Sequence, residues 1–289
     1  MKVHGDNLNQ KESSLNKYSD GDSKKFLKEI REQYDKWVAA NDLLKGPFKS
    51  KTNEDADIIS RRVELLTQYK DFLDQQHYAE KFDSRSNLHS SVIEEFMFYL
   101  FRDLVSELSS APVIGKSRTF KDLFFMPSSF QEMVKLPGVL IERKDHDFII
   151  GTRIEATFKV EGASTDEPHS FEIPAVAIEC KTYLDKTMLE GSSTAAEQLK
   201  SKIPNAIYIV VAEWLKLTSN VNLKKYKVDQ IYVLRKQRNT DREFRYLPTY
   251  EKNPIYPDVV VKLFEQVRTH LSMDWEAGIK HGLEKGYLL

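Results

Sequence analysis

Ile173–Tyr183 reads IPAVAIECKTY. Six of the eight residues before Glu179 are apolar, so the stretch has the composition of a strand buried on both faces. Alternate residues of a strand share a face. Ala175, Ala177, Glu179 and Lys181 therefore point one way, and Val176, Ile178 and Cys180 the other. A Glu-x-Lys pair on a solvated strand would mean little in a chain that is 30% charged. Here the two charges emerge side by side at the end of an apolar run, the position of residues that line a cleft at a sheet's edge.

A second carboxylate lies upstream. In KDHDFIIG (Lys144–Gly151), Asp147 leads into an apolar run, and the interval to Glu179 holds one strand and a hairpin. That spacing can bring Asp147 and Glu179 together across neighbouring strands. Two carboxylates and a backbone carbonyl, that of Cys180, suit Mg²⁺, a hard cation that prefers oxygen. A lysine beside them can hold or deprotonate a water, and the set suits hydrolysis of a phosphodiester. Asp145 shares the strand face of Asp147 and is the alternative ligand.

Farther out, the pattern alternates between helices and strands. Residues 1–22 are polar, with Gly5, Gly21 and several Ser and Asn, and are expected to form a disordered tail. From a Ser23 cap, Phe26, Ile30, Tyr34 and Trp37 or Val38 recur at helical spacing, until Gly46-Pro47 breaks the pattern. A second helix follows with Val63, Leu66, Tyr69 and Leu73 as its stripe, so 23–84 is expected to be a helical region that packs or dimerises. SSVIEEFMFYLFRDLVSEL (Ser90–Leu108) is the most apolar helix, with Ile93, Met97, Leu100 and Leu104 toward the core. On it Glu94 faces apolar neighbours, and a carboxylate there needs a partner; Glu95 is expected to be solvated. Strands are expected at GVLIERKDHDFIIG, RIEATFKV and FEIPAVAIECKTY. A serine-capped helix, SSTAAEQLKSK, comes next, then strands AIYIVVAEWL and DQIYVLRKQ and a closing helix PDVVVKLFEQVRTHL.

Bulk properties narrow the possibilities. The 289 residues suffice for one large domain or a core with an accessory part, and 40% apolar content supports a real core. A net charge of −1 gives no global field for a polyanion, although a local basic surface can still bind phosphate. The single cysteine excludes an internal disulfide and a Cys-based zinc site. No secretory h-region and no apolar run near ~20 residues is present, so the expectation is a cytoplasmic protein without a membrane partner.

Asp147, Glu179 and Lys181 in this order resemble the Asp…(Asp/Glu)-x-Lys signature of the PD-(D/E)XK nucleases, with His146 where the motif's name has proline. The element order is similar to that superfamily's core, which implies an α/β fold: a mixed central sheet flanked by helices over 85–289. Glu94 matches the extra acid many such nucleases carry on the first core helix. KDHDFIIG, IPAVAIECKTYLDKTML, TAAEQLK, VVAEWLKL and QIYVLRKQRN, in that order, resemble the heterodimeric type II restriction enzymes of the BbvCI kind. The resemblance implies double-stranded DNA as substrate, Mg²⁺ as cofactor, and a second related subunit. Each subunit of that family cuts one strand of an asymmetric CCTNAGC-type site. A repair or recombination nuclease, or a DNA-binding subunit with an inactive nuclease core, are the other readings of such a core.

For DNA contact the sequence offers LRKQRNTDREFR, with Arg235, Lys236, Arg238, Asn239, Arg242 and Arg245. Arginine can pair bidentately with guanine, and asparagine with adenine. The bland alternative is a solvated loop that touches phosphate only. GKSR (Gly115–Arg118) is a further candidate contact but not a phosphate-binding P-loop. His89, His146 and His169 lack metal-ligand spacing and read as ordinary histidines, and Trp37, Trp214 and Trp275 read as packing residues. Glu190 and Glu197 could reach a metal only in a variant geometry.

Overall fold

The computed structural model of the chain describes residues 2–82, 87–238, 247, 249–275 and 283–286. Its centre is a five-stranded sheet in the order β1 (Val113–Phe125), β2 (Val139–Phe158), β3 (Glu167–Leu184), β4 (Ile207–Leu215) and β5 (Gln230–Val233). β1, β2 and β3 pair antiparallel, whereas β3–β4 and β4–β5 are parallel. A parallel neighbour requires a crossover, and α7 (Lys186–Lys202) supplies it between β3 and β4.

The sheet is buried on both faces. Val176, Ile178 and Cys180 of β3 join the larger core with α5 (Leu88–Leu108) and α8 (Pro257–Ser272), while Ala177 joins a second core under α7. The apolar run therefore has the two-sided burial its composition implies. Ile93, Met97, Leu100 and Leu104 of α5 lie in the larger core as their spacing requires. α2 (Gly21–Leu43) and α3 (Asp55–Leu73) pack on the same side, followed by the short α4 (Gln76–Lys81). Among the described residues no helix is long and apolar enough to cross a membrane.

Beyond the core, β1–β2 and β2–β3 continue as two-stranded ribbons. They lean together, with Thr119 of β1 bridging to Glu172 of β3. At the bulge where β2 turns from one ribbon into the other, a Cβ on Gly151 would meet the Ile173 carbonyl oxygen at 2.2 Å, so only glycine fits.

Several local expectations are corrected. Residues 1–22 are not a featureless tail, because α1 (Val3–Glu12) packs against α5 with His4 fully buried. Its first-turn N–H groups have no cap of their own; those of His4 and Gly5 donate to Glu95 Oε2 at 2.8 and 3.2 Å. A Cβ on Gly5 would lie 2.4 Å from the Tyr34 hydroxyl, so any larger residue there has to push the Tyr34 ring aside. Glu95 is thus fully buried rather than solvated. α2 begins three residues earlier than expected, with Asp20 rather than Ser23 accepting the capping bond at 3.0 Å. Asp185, not a serine, caps α7. GVLIERKDHDFIIG and RIEATFKV form one strand, β2, and β1 went unrecognised because KSRTFKD breaks its alternation with charge.

Candidate active site

The β2–β3 ladder begins at Phe148↔Ile178. On the far side of that pair the strands separate, which leaves the Cys180 N–H without a β2 carbonyl. The Asp147 carboxylate takes its place and accepts from Cys180 N at 2.9 Å. The same oxygen lies 3.3 Å from Lys181 Nζ, and Lys181 reaches Glu179 Oε1 at 2.6 Å. Tyr208 of β4 donates its hydroxyl to the other Glu179 oxygen at 2.9 Å. Strand divergence, set by the backbone, thus gathers the three residues of the sequence motif.

A cleft of about 310 Å³ opens over Asp147, Cys180 and Lys181 and is closed on its other wall by Glu94 of α5. Lys116 of β1 reaches across to Glu94 at 3.1 Å. Burial, and then the nearby Asp147, push the Glu94 carboxyl up to about 7. Burial and Glu179 push Asp147 up as well. For Glu179 burial acts in the same direction, but Lys181 and the Tyr208 hydroxyl outweigh it and hold the carboxyl below its usual range. Burial disfavours the Lys181 ammonium, yet the two carboxylates win and its pKa rises. Lys181 is therefore a cation at neutral pH in this arrangement.

The donors are hard oxygens held in an enclosed place. Three carboxylates crowd there with two ammonium groups, and burial pushes two of the three up, with Asp147 adding to it at Glu94 and Glu179 adding to it at Asp147. A divalent cation would relieve that crowding, so the residues fit a hard metal ion. As the side chains stand, Lys181 lies between Asp147 and Glu179. Among the described residues no three His, Cys, Asp or Glu side chains have converged at metal-binding distance.

Asp145 is turned away from the cleft. Its carboxylate is mostly exposed and pairs with Arg118 at 3.2 Å. His146 is buried against the Tyr208 ring, and burial lowers it to about 4, which keeps it neutral. Glu190 and Glu197 are exposed on α7. His89 is buried beside Asp74, and His169 pairs with Glu167.

The arginine segment divides. Arg235 is fully buried, donates to Glu213 at 2.8 Å and to the Asn253 carbonyl at 2.6 Å, and lies over the Trp214 ring. It cannot read DNA: the end of β5 runs beneath the loop before α8, which seals it in. Lys236 is half exposed and holds Asp258 at 2.8 Å. Arg238 is exposed, while Asn239, Arg242 and Arg245 lie outside the described residues.

The sequence reading missed two kinds of residue. Lys116 and Tyr208 hold Glu94 and Glu179; Tyr208 stands in no motif, and Lys116 lies in GKSR, whose only expected role was DNA contact. A second cleft, about 690 Å³ and sharing Lys116 with the first, lies between the ribbons and carries Arg118, Arg143 and Arg153. These come from β1 and β2, and only their approach in three dimensions concentrates the charge. GKSR held the one available signal.

Comparison with known proteins bears on the family and the fold. A family model of the Bpu10I restriction endonuclease matches residues 85–288. Among solved structures, a chain of the native BbvCI A2B2 tetramer at low resolution superposes with a TM-score of 0.66 at 20% identity, covering 94% of this chain and 97% of that one. No curated protein matches. The family match spans the cleft, the sheet and both ribbons, and by it the chain belongs to the Bpu10I restriction endonuclease family, as a type II restriction endonuclease subunit.

Proposed function

We propose that this chain hydrolyses one strand of a specific double-stranded DNA site with Mg²⁺, as one half of a heterodimer, in the cytoplasm. Asp147, Glu179 and the Cys180 carbonyl would hold the metal, which supplies charge neutralisation at the phosphate and a more acidic bound water. Lys181 acts as a donor. Facing two carboxylates it stays protonated, so it orients the attacking water or a phosphate oxygen rather than removing a proton. Glu94 and Lys116 form the opposite wall and set the charge of the cleft. The observation that carries this reading is the single ammonium shared by Asp147 and Glu179 at 3.3 and 2.6 Å at the point where β2 and β3 part.

DNA contact is assigned to two surfaces. Lys236, Arg238, Asn239 and Arg242 remain candidates after β5, without Arg235. The cleft of Lys116, Arg118, Arg143 and Arg153 is the stronger one, because it adjoins the carboxylates and its three arginine side chains are solvent-exposed, Arg118 and Arg153 each in a surface ion pair and Arg143 on the Ser170 carbonyl. Such pairs are weak and exchange readily for phosphate. A multi-chain assembly is supported by the likeness to a chain of the A2B2 tetramer.

Cleavage of plasmid DNA by the chain, alone and with a related subunit, tests the proposal. Metal-dependent cutting at fixed positions is expected. Lys181→Ala paired with an intact partner should still bind the site but leave a nick. Metal-independent cutting, or full double-strand cleavage by that pairing, would overturn it.

A further inference from the structure

The β1–β2 ribbon ends in a surface that lies outside both clefts. Its tip carries Phe124, Phe125, Met126, Phe130, Met133 and Leu140, which are between 42 and 77% exposed. Phe124 and Leu140 face each other across the ladder, and Phe130–Met133 form the one-turn helix α6, capped by Ser129. This is a held structure rather than a loose loop. Glu167 accepts from the N–H groups of both Gly138 and Val139, at 3.0 and 2.9 Å, and Met126 N donates to Gly138 O at 2.8 Å. The fold therefore fixes the tip while leaving its large apolar side chains in water.

At these exposures, with side chains that each present roughly 150–250 Å², the tip offers on the order of 600 Å² of apolar surface. That is at the upper end for the largest patch of a monomer. It approaches the ~800 Å² that each partner contributes to a stable interface. The rim bears both signs: Lys121 with Glu142, Lys135 with Glu132, and Asp122 with Lys202. A surface for DNA would be predominantly cationic. A neutral rim of alternating sign instead suits a two-fold contact, in which each acid of one copy can face a lysine of the other.

We propose that the ribbon tip is an interface between two copies of this chain. The proposal rests on the multi-chain part of the proposed function and assigns to it a surface. Two tips would bury ~1,200 Å² of apolar surface between them, within the range of specific dimers.

Sedimentation velocity of the full chain, without DNA or metal, tests this. Self-association that rises with concentration is expected. Phe130→Asp should weaken it at least ~30-fold, as loss of an interface anchor does, and Met126→Lys should act in the same way. Because both side chains are exposed, circular dichroism and Tm should not change. A chain that stays monomeric at about 100 µM, far above the Kd of a specific interface, overturns the proposal, as does a dimer that survives both substitutions. A monomer whose DNA binding falls with Phe130→Asp overturns it in favour of a wedge between bases. A monomer that binds a different subunit through the tip overturns it in favour of a hetero-interface. A monomeric chain that still cuts its site with a related subunit leaves the proposed function standing. A chain that dimerises through its tip but never cuts does the reverse.

Discussion

Two sets of buried charges lie on adjacent strands and are built on opposite principles. On β3, Lys181 opens with Asp147 and Glu94 into a cleft, and Glu179 stands against Lys181 beside it, so that like charges crowd. On β4, Glu213 points into the other layer and is fully enclosed, with Lys70 of α3 at 2.8 Å and Arg235 at 2.8 Å. Burial acts against the Glu213 carboxylate, but the two cations outweigh it and hold the carboxyl low. Arg235 also meets Asp71 at 3.7 Å, so two cations meet two carboxylates and the junction is matched; the cleft is mismatched and open. A buried charge by itself therefore says little about function. The state of its partners does, because only the unbalanced set has something to gain from a ligand.

Substitution should separate the two sites most sharply. Asp147→Asn is expected to lower cleavage by about 10³-fold, comparable to loss of one preorganised charge-stabilising group. Tm should hold or rise, because a repelling carboxylate is gone; a clear loss of Tm would place Asp147 in the structural class with Glu213.

Glu213→Gln should do the opposite. It leaves Lys70 and Arg235 buried beside a neutral group and is expected to cost about 3–5 kcal/mol in the denaturant midpoint. The folded fraction should still cut. If stability is unchanged, the junction holds α3 to the sheet by packing alone.

Acidity should move the two regions in opposite directions. Glu94 has a folded pKa of about 7, above its ordinary value of 4.5. The folded state therefore binds this proton more tightly than the unfolded chain. Stability present below the ordinary value is lost as pH rises toward 7, by up to about 3 kcal/mol without metal. Glu213 is depressed, so its contribution is present above the ordinary value and is lost as pH falls below it. Denaturant midpoints from pH 4 to 8 should fall less steeply in Glu94→Gln than in the wild type. An unchanged slope would show that Glu94 is not the titrating group.

The smallest effect concerns Glu95, the neighbour of Glu94 that faces away from the cleft. It accepts from two N–H groups of α1, from Tyr34 at 2.9 Å and from Tyr99 at 3.3 Å. Glu95→Gln turns one acceptor toward these donors into a donor and should cost about 1–3 kcal/mol. It should also expose α1 to proteolysis ahead of the rest. Simultaneous loss of all protection would mean that α1 is not a separable element.

Glu94 and Glu95 also mark how far the sequence could be read. The apolar run of β3, its terminal Glu-x-Lys, the upstream Asp147 and the core stripe of α5 were all legible. Each is a local pattern, in which period and composition declare burial and a charge at the end of an apolar run stands out. The likeness to a restriction-enzyme family was legible in the order of several such patterns. Partners were not. Whether Glu95 meets water or α1 depends on a helix 90 residues away, and whether Arg235 meets DNA or Glu213 depends on the loop that covers it. The concentration of Arg118, Arg143 and Arg153 and the outward display of the ribbon tip likewise arise only when separate strands are brought together. Local periodicity determined which segments fold and where the candidate set of Asp147, Glu179 and Lys181 lies. The tertiary structure alone decided which charges are paired, because a charge's free energy depends on its neighbours in space and its solvent, and neither is encoded within one turn or one strand.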